Sequence, residues 1–174
     1  MIDTHAHLTD ERLASQIEEV LVRANEMGVE KIIVPTTGIL DGKKAIALAE
    51  KYDEVFALVG VHPEVLEDEN RPENRDEWLA ANGEWLARVE KLAGSSGKVV
   101  GFGEIGLDFH YDKNKTSLEL QREIFEGQLN LGVKLNLPVV IHMRDAEEEM
   151  REVLSEVEKL PRGQFHCFAG SDDF

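Results

Sequence analysis

Strand-length apolar runs recur along the chain, each separated from the next by a segment with helical spacing, and no other feature limits the fold as tightly. KIIVPT (31–36), VFALVGV (55–61), KVVGFGEIGL (98–107), PVVIHM (138–143) and GQFHCF (163–168) have the length and the β-branched or aromatic content of buried strands. The opening MIDTHAHL adds a sixth. Between the first two, Leu13, Ile17, Val20, Leu21, Ala24 and Met27 repeat at helical spacing, with Asp10 placed to cap and Gly28 to terminate. Further helices are expected near 43–51, 76–93 and 118–136, the last opened by a Thr116-x-x-Glu119 capping box. Asp145-x-x-Glu148 opens another, with Met150, Val153, Leu154 and Val157 as its core face and Pro161 as its stop. Such alternation predicts a parallel sheet, either open and doubly wound or closed into a barrel. The polar stretch 67–77 reads as a surface loop, and residues 1–174 as one domain.

The placement of polar residues favours the barrel. His5 and His7, His62, Glu104 with Asp108, His142, and His166 all fall at or just beyond the C-terminal ends of different strands. In a barrel those ends converge on one mouth, whereas an open sheet splays them too far apart to share an ion cluster. On a strand His5 and His7 point to the same side, with α-carbons roughly 6.5–7 Å apart, close enough for one cation to reach both. Taken singly, His142 and His166 read as core histidines bonded to backbone. Five of the six histidines at strand ends outweigh that reading. Together with Glu104 they offer nitrogen and oxygen ligands suited to zinc, manganese or magnesium. A carboxylate inside a buried strand is costly unless paired, so Glu104 is expected to bridge two ions, in a segment where glycines 101, 103 and 106 permit close approach. Arg144 is placed either to grip a phosphate or to pair with Asp145, and His110 lies at the surface or the substrate rim.

Composition narrows the partners. A net charge of −16 argues against a broad basic surface for nucleic acid or anionic membrane, so a polyanion site needs bound cations to offset local repulsion. The single cysteine, Cys167, cannot form an internal disulfide, and neither a leader nor an apolar run of spanning length is visible. A soluble cytoplasmic protein without a membrane partner is expected.

IDTHAHL, VGVHPE, GEIGLDFHYD, LQREIFEGQLNLGVKLNLPVVIHMRDA and FHCFAGS, in that order, resemble the TatD family of metal-dependent deoxyribonucleases among the amidohydrolase-like barrels. The resemblance implies a TIM-type barrel with two divalent ions and hydrolysis of DNA phosphodiesters, most simply from the ends. It implies that His5 and His7 hold one ion, His142 and His166 the other, with Glu104 between them. His62 would then face the scissile phosphate, with Arg144 and Asp108 as further substrate contacts. Hydrolysis of another ester, such as an aminoacyl-tRNA or a small phosphoester, fits the same ligands, and so does a metal-binding fragment without catalysis. The family carries a further aspartate in a Thr-Asp-Ser-Pro-like motif on a later strand, and the sequence ends at GSDDF before one, with Asp172 and Asp173 in the wrong context to replace it. The chain is therefore expected to hold about six of eight barrel strands, roughly the N-terminal two thirds of a family member. Alone it is expected to have little nuclease activity and to self-associate through exposed sheet edges that uncover Ile2, Ile33, Val59 and Val140.

Overall fold

The computed structural model describes residues 1–66, 78–80 and 83–174. Six strands, β1 (Ile2–Asp3), β2 (Lys31–Val34), β3 (Val55–Val59), β4 (Val99–Asp108), β5 (Val139–Arg144) and β6 (Gly163–Phe165), pair in parallel in chain order. Parallel neighbours need long crossovers, and these carry α1 (Glu11–Ala14), α2 (Ile17–Glu26), α3 (Ile39–Lys51), α4 (Trp85–Ala93), α5 (Leu118–Leu135) and α6 (Glu147–Glu156). A doubly wound sheet reverses its strand order at a switch point, whereas a barrel wall does not. The uninterrupted order therefore makes this α/β chain an arc of a (β/α) barrel wall. Its core lies between strands and helices, where Val34, Val55, Ala57 and Val59 meet Ala45, Ala49, Val89, Phe125 and Leu129, all at or near zero exposure.

Several local details depart from expectation. Ladder pairing of β1 stops at Asp3, whose Oδ1 accepts the His5 N–H at 3.0 Å and turns the chain out of the strand. The first helix is split at Ser15–Gln16, although Asp10 caps it and Gly28 ends it with φ +82°. Helix α3 begins at Ile39, four residues before the expected start at 43. The loop expected over 67–77 and the start of the helix expected at 76 fall outside the described residues.

The two expected helix-opening boxes do not form. Thr116 donates to Asp112 Oδ1 at 3.0 Å, and Asp112 Oδ2 accepts from both Ser117 N and Ser117 Oγ at 2.8 Å, so Asp112 secures the entry to α5. Asp145 sits at φ +52° and its carboxylate binds Lys113 at 2.6 Å and His110 at 3.0 Å, leaving Ala146 as the α6 N-cap. The uncovering of Val59 and Val140 does not occur either: both are buried, Val59 under α3 beside Gly42, while Ile2 is exposed and Ile33 half-buried. No helix among the described residues is long and apolar enough to cross a membrane.

Candidate functional site

Glu104 owes its position to a break in β4. Against β5, Phe102 pairs with Val139 and Ile105 with Ile141, so Gly103 and Glu104 together oppose Val140 alone, and a bulge of this kind re-aims a side chain. The bulged backbone is caught by Thr36, which accepts the Glu104 N–H at 3.0 Å and donates its own to Gly103 O at 3.1 Å. Glycines 101, 103 and 106 serve a different purpose from the ligand access expected of them. A Cβ at any of the three would meet β5 or the residue leading into it, at Val140, His142 or Pro138, so they admit the neighbouring strand.

The two oxygens of buried Glu104 face different histidines. Oε2 lies 3.2 Å from His5 Nε2 and 3.8 Å from His7 Nε2, and Oε1 lies 2.9 Å from His142 Nδ1 and 3.9 Å from His62 Nε2. His166, just beyond β6, stacks on the His5 ring with centroids 3.4 Å apart. Two ligand-bearing groups result among the described residues, His5–Glu104–His166 and His62–Glu104–His142, each with its nitrogen and oxygen atoms within 4.8 Å of one another. The expected partnership of His142 with His166 is thus not the grouping found; His166 lies on the His5 side, and His62 takes the place beside His142.

Both ring nitrogens of His5 are buried without a hydrogen-bond partner among the described residues. A buried imidazole in that condition is costly and is relieved by a cation between it and the carboxylate. Borderline nitrogen donors around a shared carboxylate also suit a divalent ion, so the residues present fit one.

His142 and His62 carry opposite proton arrangements. Burial pushes His142 down, but hydrogen bonds from its two nitrogens to Asp108 Oδ2 at 2.8 Å and Glu104 Oε1 at 2.9 Å overcome this and raise its pKa to about 9. Burial, with the neighbouring His142 charge, pushes His62 down to about 4. The His62 Nδ1 accepts the Glu64 N–H at 3.0 Å, and a backbone N–H can only donate, so neutral His62 carries its proton on Nε2, on the side of Glu104. Burial raises Glu104, yet the hydrogen bond with His142 and the His5 ring 3.2 Å from Oε2 hold it well below the usual carboxylate range.

These side chains floor a cleft of about 630 Å³ lined by His7, Thr37, His62, Glu104, His142, Arg144 and His166, with Cys167, Ala169 and Gly170 at its side. Arg144 lines it with its guanidinium over the Tyr111 ring at 5.6 Å, and Asp145 is occupied by His110 and Lys113 instead. Asp108, expected as a substrate contact, is fully buried: Oδ2 holds His142 and Oδ1 accepts the His110 N–H at 2.8 Å. Two residues that sequence reasoning passed over stand behind this floor. Gln121 and Gln128 of α5 are buried to within 1% and bond the strand ends that carry Asp108 and His62. Their signal was present as two amides seven residues apart on the apolar face of a helix.

Parallel strands in chain order, with imidazoles gathered round one carboxylate at their C-terminal ends, define a barrel-type α/β protein with a candidate divalent-metal site. The family model described as TatD related DNase matches residues 2–174, and the chain belongs to that family. It is 36% identical over 172 residues to YabD of Bacillus subtilis, named an uncharacterized metal-dependent hydrolase, covering 98% of this chain and 62% of that one. To the 3'-5' ssDNA/RNA exonuclease TatD of Escherichia coli K12 it is 33% identical, covering 98% and 60%. Among solved structures, the TatD homologue YJJV of Escherichia coli K12 superposes with a TM-score of 0.80 at 34% identity, over 98% of this chain and 61% of the other. The chain thus spans about three fifths of the length of these relatives.

Proposed function

We propose that this chain carries the metal-binding face of a hydrolase that cleaves phosphodiester bonds in DNA from the ends. The observation that carries the reading is Glu104, with one oxygen turned to each group of histidines. On it, His5, His7 and His166 hold one divalent ion and His142 the second, with Glu104 shared. When bound, two such ions, of Mg²⁺, Mn²⁺ or Zn²⁺, supply positive charge for the phosphate and lower the pKa of an attacking water. They also offset the acidity of a chain carrying −16.

The protein's own side chains do the rest. His62, held by the Glu64 N–H, presents Nε2–H to the cleft as a donor for a phosphate oxygen. Arg144 grips a second phosphate from the rim. Asp108 orients His142 from behind. The exonuclease naming of the Escherichia coli relative supports nucleic acid as substrate. A cytoplasmic location, and self-association through β1 and β6 as the outer strands of the described sheet, belong to the same proposal.

The test is cleavage of end-labelled single-stranded DNA with added Mg²⁺ or Mn²⁺, by the chain and by the chain fused to the part of YabD outside the matched 62%. Metal-dependent shortening by the fusion, abolished in Glu104→Ala, is expected. A folded fusion that binds metal but hydrolyses only aminoacyl or small phosphate esters would overturn the DNA assignment.

A further inference from the structure

Gln121 and Gln128 repeat one device on one face of α5. Gln128 Oε1 accepts the Val61 N–H at 2.7 Å while its Nε2 donates to the Val61 carbonyl at 3.1 Å. Gln121 Oε1 accepts the Asp108 N–H and its Nε2 donates to the Asp108 carbonyl, both at 2.8 Å. Each amide therefore satisfies both backbone groups of a single residue, as a neighbouring strand would, at a point where the ladder gives out: β3 ends at Val59 and β4 at Asp108. The fit is close, since a Cβ on Gly60 would stand 3.0 Å from Gln128 Oε1 and 2.8 Å from Ile105. Apolar side chains of similar length would fill the same space, so packing alone does not call for two buried amides. Left unpaired, the buried strand-end groups would each cost a hydrogen bond.

What the two clasped residues have in common is their neighbour in the site. Val61 precedes His62, whose N–H reaches Thr37 O at 2.9 Å, and Asp108 fixes His142 Nε2. Both clasps thus converge on the His62–Glu104–His142 group. On the reading proposed above, we infer that Gln121 and Gln128 are positioning residues for that half of the site. They set where His62 and His142 stand. His5, His7 and His166 are held by other elements and do not depend on them.

The experiment compares Gln121→Met and Gln128→Met with Leu129→Ala, a loss of packing at a fully buried neighbour on the same helix. Gln128→Glu, which keeps the acceptor oxygen, serves if the methionine variant does not fold. Long-range ¹H–¹⁵N spectra of the metal-free chains report the proton arrangement of each histidine ring. Loss of the Nε2–H pattern of His62 in Gln128→Met, and displacement of the His142 ring signals in Gln121→Met, are expected. The His5 and His166 signals should stay in place, and all four patterns should persist in Leu129→Ala. In Mn²⁺ titrations the glutamine variants should bind one of two ions about 10–100-fold more weakly, the range for loss of an orienting partner. Wild-type ring patterns in folded glutamine variants would overturn the inference and reduce both residues to packing. A wild type that binds no Mn²⁺ while the glutamine variants still lose these patterns would overturn the metal reading and sustain the positioning role.

Discussion

Gly106 stands at φ +149°, and a Cβ there would fall 1.9 Å from the carbonyl oxygen of His142. An L-residue meets both a disfavoured backbone and a neighbouring strand that cannot withdraw without shifting His142. Gly106→Ala should therefore lower unfolding free energy in urea by upwards of about 3 kcal/mol. A loss within about 0.5 kcal/mol, the range of an inert surface change, would contradict the contact. At this scale the histidines were legible because ionisable groups on buried strand ends are costly without a partner. Their grouping was not, because it depends on the bulge at Gly103–Glu104, and nothing local in GFGEIGLDFH marks where the ladder slips. Asp108 was misplaced for a related reason: its carboxylate turns inward to His142 and the His110 N–H, which a place at the strand end does not reveal.

The start of α5 turns on a single carboxylate. Burial raises Asp112, but the hydrogen bonds from Ser117 and Thr116 outweigh it and hold the group below the ordinary carboxylate value. A depressed folded pKa means stability that is whole above the unfolded value, about 3.9, and fades as pH falls toward the folded one. Asp112→Asn should thus cost about 1–3 kcal/mol at pH 7, and the gap to wild type should narrow below about pH 4. A pH-independent gap would show that charge plays no part in the cap. Sequence pattern alone pointed to Thr116 and Glu119 here, since a capping box is read from spacing and the aspartate that pre-empts it lies four residues earlier. The strands and their order were readable, because apolar run length and crossover length leave parallel pairing as the one economical arrangement. Gln121 and Gln128 went unread, since on the apolar stripe of α5 an amide looks like an interruption of the pattern. Only the ends of β3 and β4 reveal its use.

Across the molecule, the described sheet runs from β1 to β6, and each of these outer strands pairs on one side only. Unpaired backbone along such an edge is a template for another chain. Sedimentation of the 174-residue chain should accordingly show concentration-dependent association, and a monomer throughout the micromolar range would count against it. The central claim is that Glu104 joins two metal groups rather than serving one, and ion stoichiometry tests it most directly. Mn²⁺ bound per chain at saturation should be two for wild type, one for His166→Ala, one for His142→Ala, and none at the same concentration for Glu104→Gln. The last change preserves shape and removes the charge on which both groups depend. Retention of two ions by a folded Glu104→Gln chain would contradict the account.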